Sequence, residues 1–470
     1  MKPYLFILAQ IVFLHLNAQQ IPDVQNVVVV LADDHALKVT GAYGNQLVKT
    51  PNIDRLSQQG ITFSRAYCNA PICSASRQSL LTGKYPHATG VNLLFTPFSD
   101  DNITIAEHLK RFDYQTALIG KTHWNNWIWG PLYEQAPPNH GFDEIIERSH
   151  YREFLKHNPA PPIPVNLPFY TRENLTKDSV AQWMNYQVLP HPIDDEHSVG
   201  TYFANQAIEF IRKNRDNPFF LWLAFYEPHQ PYYFPIEYAD MYQPHQMTLP
   251  VGSPEDDRWV PLQYQNLSDE EKQGIIASYY TSTSYMDKNL GLVLDELERS
   301  GLSDQTLVIY ISDNGYLLYE HKRFEKHTMW EESVRQPMIF KIGNSYRPGE
   351  KSDALVEYID IVPTILELLE VDNLSEAQGT SFHSTLLDDS EHKSIAFSEY
   401  LHDNMAMVCN KQWKYVFTTG SRDLGIDYQT GHGPSGIVHR LYHLEEDPLE
   451  QRSVAHVPEN AEILENMQLE

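Results

Sequence analysis

Cysteine is scarce in this chain of 470 residues, which holds only Cys68, Cys73 and Cys409. At most one disulfide can form, so the chain is not a disulfide scaffold, and an odd thiol must stand either buried and inert or reactive. Positive charge is also in short supply: 35 Lys plus Arg face 62 Asp plus Glu, a formal net charge of -27. That balance speaks against a broad basic face for nucleic acid or an anionic membrane, because phosphate affinity comes from clustered Lys and Arg displacing counterions. Long hydrophobic runs are missing beyond the N-terminus. There, Lys2 precedes an apolar stretch over residues 4–16, interrupted by Gln10 and His15 and followed by Asn17, Ala18 and Gln19. It is too short to span a bilayer and reads as a signal peptide over residues 1–18, with a retained anchor the weaker alternative, so the product is expected to be exported, periplasmic or secreted. What remains is 42% hydrophobic and 12% aromatic, enough to build a compact core.

Strand-like and helix-like patterns alternate along the chain. Residues 27–31 form a β-branched run suited to a central parallel strand buried on both faces. Asp33 and Asp34 follow at once, where ligands gather in open α/β sheets. Thr50, Pro51 and Gly60 frame a short helix as N-cap, first-turn proline and stop. Further strands are predicted at 61–67, 116–119, 219–225, 307–312 and 338–342, and amphipathic helices at 202–213, 275–297 and 361–369. Residues 130–196, rich in proline and aromatics, read as a long ordered loop that shapes a binding site. After residue 388 the pattern changes to short strands at 394–399, 405–408 and 413–418. The order predicts an α/β fold with a large mixed, mostly parallel sheet between helices, and a smaller antiparallel C-terminal sheet. The expected division is 19–388 for the main domain and 389–470 for the C-terminal subdomain.

The chemistry converges on Cys73. Residues 71–84 contain Cys73-Ser74-Ala75-Ser76-Arg77 and then Thr82-Gly83-Lys84. Cys73, Ala75, Arg77, Thr82, Gly83 and Lys84 all match the sulfatase signature, and the segment resembles that of the formylglycine-dependent sulfatases of the alkaline phosphatase superfamily. The resemblance implies that a formylglycine-generating or anaerobic sulfatase-maturating enzyme converts Cys73 to formylglycine. The aldehyde hydrates to a geminal diol, one oxygen of which attacks sulfur while the other remains to expel the product. A helix beginning at Cys73 would set the nucleophile at a positive helix end, and Arg77, one turn along, would hold the diol.

Other motifs agree with that resemblance in their order along the chain. Asp33, Asp34, Asp313 and Asn314 supply hard oxygen ligands from two predicted strand ends, and with an oxygen from modified Cys73 they suit calcium, with magnesium possible. Gly120-Lys121-Thr122-His123 is similar to a family element in which Lys121 would contact sulfate and His123 act on the diol, although Thr122 replaces the usual Trp. Pro228-His229-Gln230-Pro231 is similar to another, in which His229 would protonate the leaving alcohol or stabilise its oxygen, and contact sulfate. Lys326 resembles the family's second sulfate-binding lysine. His321, in Tyr319-Glu320-His321, resembles a further sulfate contact. The segment 441–451 resembles the family's closing structural motif, with His443 in place of Asp.

Together these motifs imply a sulfuric ester hydrolase acting on a sulfated polysaccharide or oligosaccharide such as ulvan, carrageenan, fucoidan or a glycosaminoglycan. Trp124, Trp127, Trp129, Tyr133, Tyr151, Tyr232 and Tyr233 are candidates to stack on sugar rings. Two alternatives stand beside this reading. One is a phosphonate monoester or phosphodiester hydrolase of the same superfamily; the other is a non-catalytic glycan-binding protein, should Cys73 stay a thiol.

Overall fold

The computed structural model describes residues 21–125, 138–163, 180–343, 346–400, 404–419, 429–432 and 435–470. The expected signal peptide, Trp127, Trp129 and Tyr133 lie outside these. Among the described residues the strands are β1 (Asn26–Ala32), β2 (Ile61–Tyr67), β3 (Gln115–Gly120), β4 (Glu144–Ile146), β5 (Phe219–Ala224), β6 (Thr306–Ser312), β7 (Leu317–Leu318), β8 (Phe324–Glu325), β9 (Arg335–Ile342), β10 (Glu350–Glu357), β11 (Ala396–Tyr400), β12 (Met405–Cys409), β13 (Trp413–Thr418) and β14 (Val438–His443). Eight of them form one sheet in the order β10-β2-β9-β6-β1-β5-β3-β4. All of its pairings are parallel except those of β9 with β2 and β6, so β9 alone runs against the rest.

The β-branched run at the start of the chain becomes the centre of this sheet. Every residue of β1 is buried, and its side chains alternate between two cores. Val27, Val29 and Leu31 join the core that includes Leu80 and Leu81 of the Cys73–Thr82 helix and Ile361–Leu366 of the Ile361–Leu368 helix. Val28, Val30 and Ala32 join the core under the Val199–Lys213 and Asp269–Arg299 helices. The period-two geometry of a strand thus holds two helical layers apart with one sequence.

β11 to β14 form a four-stranded antiparallel sheet in sequence order. It does not have a core of its own on both faces: Ala396, Tyr400, Met407, Cys409, Val416 and Tyr442 belong to the same cluster as the main sheet. The expected boundary at 388/389 falls between the His383–Asp388 helix and β11, but burial is continuous across it.

Several sequence expectations need correction. The span 130–196 is not all loop: it holds β4 and a ten-residue helix, Arg148–His157, which buries only Tyr151. With one face so sparsely apolar, its periodicity is masked by the surrounding prolines. β10 was not expected either; its charged start, Glu350-Lys351-Ser352-Asp353, is that of a sheet edge. Thr50 stands at the N-cap of the Pro51–Gln59 helix without capping it through its side chain. The Asp287 carboxylate of the Asp269–Arg299 helix instead accepts from the backbone N–H of Asn52 at 3.1 Å and of Ile53 at 2.8 Å, so a distant helix supplies the cap. Gly60 is in extended backbone and is needed for close approach, since a Cβ there would meet the Phe340 carbonyl oxygen at 2.4 Å.

Candidate active site

The parallel arrangement of β1, β2, β3, β5 and β6 brings their carboxyl ends to one rim of the sheet, and the candidate residues follow those ends. Asp33 and Asp34 come directly after β1, Asp313 and Asn314 after β6, and Lys121 after β3. The pairing of Ala32 with Ser312 sets the two acidic pairs side by side. Gly120 makes the exit of β3 possible: it has φ 110°, and a Cβ there would lie 1.8 Å from the Ala224 carbonyl oxygen, so only glycine allows Lys121 to turn inward. His229 follows β5, on a turn with cis peptides before Pro228 and Pro231. Lys326 follows the β7–β8 hairpin.

Cys73 opens the Cys73–Thr82 helix, all of whose residues are buried. Its Sγ accepts from the Lys326 ammonium and lies 3.7 Å from Asp34 Oδ1. Arg77 sits one turn later; its Nε donates to Asp313 Oδ2 at 2.8 Å, its Nη1 to the Lys121 carbonyl at 3.0 Å, and its Nη2 lies 3.3 Å from Asp33 Oδ1. The Lys121 ammonium pairs with Asp33 Oδ2 at 2.5 Å, and Lys326 also pairs with Asp34 Oδ1. His229 donates from Nδ1 to the Gln230 carbonyl at 2.7 Å, which leaves Nε2 facing Asp34 Oδ2 at 3.6 Å.

Burial opposes ionisation of Asp33 and Asp34, but Lys121, His229 and Arg77 around the first, and Lys326 and His229 around the second, hold both carboxyls below the usual carboxylate range. Asp34 first, and then Asp313 and Asp33 among the carboxylates, raise Lys326 against its own burial. Burial, then Lys121, Arg77 and Lys326, keep His123 neutral. The Cys73 thiol is pushed up by burial, with Lys121 and Lys326 only partly offsetting it. A thiol held protonated is a poor nucleophile, so this position does not suit thiolate chemistry despite its cationic neighbours.

The donor set fits a divalent cation. Asp33 Oδ1, Asp34 Oδ2 and Asn314 Oδ1 are buried and have no hydrogen-bond partner among the described residues. Ligand atoms of Asp33, Asp34, Cys73 and His229 all lie within 4.8 Å of one another. Buried acceptors left open at one point are what a hard cation requires. Asp313 stands differently: its Oδ1 accepts from the N–H of Asp34 and of Asn314, and its Oδ2 from Arg77.

Above the cluster lies a cavity of about 330 Å³, lined by Asp33, Lys121, His123 and His229 and walled by Trp183, Tyr226 and Tyr233. Matches to known proteins agree with this geometry. Residues 25–371 match the Sulfatase family model, and residues 319–470 match the model for the C-terminal part of N-sulphoglucosamine sulphohydrolase.

The chain belongs to the sulfatase family. As a sulfatase it hydrolyses sulfate esters. It is 30% identical over 377 residues to a sulfatase of Formosa agariphila, a match covering 75% of this chain and 70% of that one. It is also 30% identical over 360 residues to an ulvan-active sulfatase of the same organism, covering 75% of this chain and 63% of the relative, just under two thirds of its length. In fold the sulfatase is similar to the phosphonate monoester hydrolase of Agrobacterium radiobacter, with a TM-score of 0.77 at 19% identity, covering 95% of this chain and 94% of that one.

Not every expected residue of this sulfatase meets at the site. His321 is fully buried, stacked on Trp330 at 4.0 Å with Nδ1 2.9 Å from Asp256 Oδ1, and does not line the cavity. Trp124 and Tyr232 are core residues, while Tyr233 lines the cavity as expected and Tyr151 a neighbouring one. Sequence reasoning passed over Arg148, Trp183, Tyr226 and Glu227. Glu227 had a signal, since it precedes the Pro228-His229 motif; burial pushes its carboxyl up to about 7. Arg148 had none, because its helix was read as loop.

Proposed function

We propose that this sulfatase removes sulfate from a sulfated polysaccharide or its oligosaccharides, with Cys73 matured to formylglycine. The observation that carries the reading is the convergence of Lys121, Lys326, Arg77, His123 and His229 with a hard-oxygen cluster on the side chain of Cys73, at the first turn of a buried helix. Lys121 and Lys326 place two ammonium groups beside the reacting position, and Arg77 holds the Asp33–Asp313 pair from below. Such a fixed array stabilises charge that develops on a transferring sulfuryl group.

His229 and His123 divide the proton transfers. The His229 Nδ1–H is committed to the Gln230 carbonyl, so Nε2, facing Asp34, is the atom that meets the leaving alcohol, and it gives up a proton there only from the imidazolium form, which burial opposes and Asp33 and Asp34 favour. His123, neutral and with Nδ1 free of hydrogen-bond partners among the described residues, lines the same cavity and would take a proton from the hydroxyl on residue 73. A divalent cation, held by Asp33, Asp34 and Asn314 with Asp313 behind them, would supply Lewis-acid polarisation of a sulfate oxygen. Calcium is the favoured ion and magnesium the other. A maturation enzyme must act on Cys73, and export would bring the protein to an extracellular or periplasmic glycan. The ulvan-active relative supports the polysaccharide class, and no helix of the described residues is long and apolar enough to cross a membrane.

Cys73→Ala should remove essentially all turnover of aryl sulfate and of sulfated glycans while the protein stays folded, and mass spectrometry of the Cys73 peptide should find the aldehyde. An intact thiol in the isolated active protein, or full activity in the variant, would overturn the reading. Faster hydrolysis of an aryl phosphodiester than of the matching sulfate would favour phosphonate or phosphodiester chemistry instead.

A further inference from the structure

Beside the catalytic cavity lies a second one of about 120 Å³, and the two share Arg148, Val199, Glu227 and Tyr233 as a common wall. Two features of that wall stand out among the described residues. Glu227 is 2% exposed, yet neither carboxylate oxygen has a hydrogen-bond partner among the described residues. A carboxylate so deep is ordinarily paired; this one faces the cavities on either side. Arg148 is exposed, rests over the Tyr226 ring at 5.5 Å and makes no ion pair with a carboxylate among the described residues. Its neighbour Glu147 is occupied elsewhere, capping its own helix and accepting from Thr122 Oγ1 at 2.5 Å.

The rest of the second cavity is aromatic and neutral. Tyr151, Tyr233 and Phe234 line it, and the His191 ring stands edge-on to Tyr233 at 4.9 Å. Lys121, His123 and His229 line the first cavity and not the second. Arg148 is therefore the cation at this wall that the sulfate-binding cluster does not engage. Aromatic faces, one buried acceptor and one guanidinium without an ion-pair partner among the described residues are the complement of a sugar ring bearing hydroxyls and an anion.

We propose that the second cavity is the subsite for the sugar next to the sulfated one, with Arg148 binding an anionic substituent of that sugar and Glu227 accepting from one of its hydroxyls. The proposal rests on the reading of the protein as a glycan sulfatase and adds that its substrates carry acid groups on adjoining units. A uronate carboxylate and a second sulfate ester present the same chemistry to a guanidinium.

The test uses three disaccharides with the same sulfated sugar, joined to a uronic acid, to its carboxyl-reduced counterpart, or to a second sulfated sugar. The intact enzyme should prefer one or both acidic partners over the reduced one by at least about tenfold in kcat/KM, the worth of a single charge-assisted hydrogen bond. Which acidic partner is preferred identifies the anion. Arg148→Gln should bring the ratio close to one by raising KM for the acidic substrates with little change in kcat. A ratio near one in the intact enzyme, or one unchanged in the variant, overturns the subsite. If the intact protein turns over no sulfate ester at all, the glycan-sulfatase reading has failed, and calorimetry with unsulfated disaccharides still decides the subsite. Binding of the uronate form that weakens by about tenfold in Arg148→Gln supports it; equal binding overturns it.

Discussion

At the residue scale, side chains of this protein are defined by what burial leaves them able to do. Lys326 is 4% exposed, and its ammonium reaches both Asp34 and Cys73. Lys326→Ala should therefore lower kcat/KM for any sulfate ester by about 10²-fold or more, the usual loss for one preorganised donor at a developing charge, as steady-state kinetics would show. His140 lies away from the catalytic cavity and shows what burial does to a titrating ring. Its ring packs on Phe98 at 4.5 Å and Trp124 at 4.6 Å, and burial lowers it from 6.5 to about 4. The unfolded chain takes up a proton as pH falls through 6.5 while the folded one does not, so stability declines from pH 6.5 towards 4 and levels off below. Denaturant titrations at pH 7 and pH 5 should show a loss that is smaller in His140→Gln than in the unaltered protein by on the order of 2 kcal/mol, the remainder coming from other buried histidines such as His35.

At the element scale, the site is assembled by strand ends and held by contacts that cross the sequence. The Pro51–Gln59 helix starts with proline and would leave its first N–H groups unsatisfied, but Asp287 accepts from Asn52 and Ile53 across more than two hundred positions. Asp287→Ala should lower stability by about 1–2 kcal/mol, the cost of a lost cap, read as a shift in denaturant midpoint with the active-site residues unchanged. The segment carrying Lys326 is tied down in a similar way by the C-terminal sheet. Lys414 on β13 pairs with Glu331 at 3.1 Å and with Glu450 at 2.9 Å, and Glu450 accepts from the Glu331 N–H at 2.6 Å. Glu450 lies in the closing motif read from sequence as a structural mark, and these bonds are what that mark does.

At the scale of the whole molecule, an acidic body encloses a cationic pocket. The chain carries -27 overall, yet Arg77, Lys121, Lys326, His123 and His229 surround one position, which makes the local field favourable to a sulfate. Three carboxylates meet those cations, and a bound divalent ion would relieve the crowding of Asp33, Asp34 and Asp313. Chelation should therefore remove activity and also lower the thermal midpoint, since an ion that binds only the folded state adds about 2.7 kcal/mol at a hundredfold excess over its Kd. Titrating calcium and magnesium back, with differential scanning calorimetry beside the assay, shows which ion restores both.

The sequence by itself was sufficient for the central strand, most strands of the large sheet, the long helices and the motif residues, because a parallel strand buried on both faces and a nucleophile segment with fixed spacing are local patterns. It located β1, β2 and the long helices to within a few residues, and it named Cys73, Arg77, Lys121, His229 and Lys326. It could not place His321 in the core, supply the cap from Asp287, or see the helix that carries Arg148, because each depends on which distant segment packs alongside. Only the tertiary structure brings Glu227 and Arg148 to a shared wall and leaves three carboxylate and amide oxygens open at one point. Burial and proximity belong to the packed chain, and those decide whether a carboxylate is a cap, a ligand or a substrate contact.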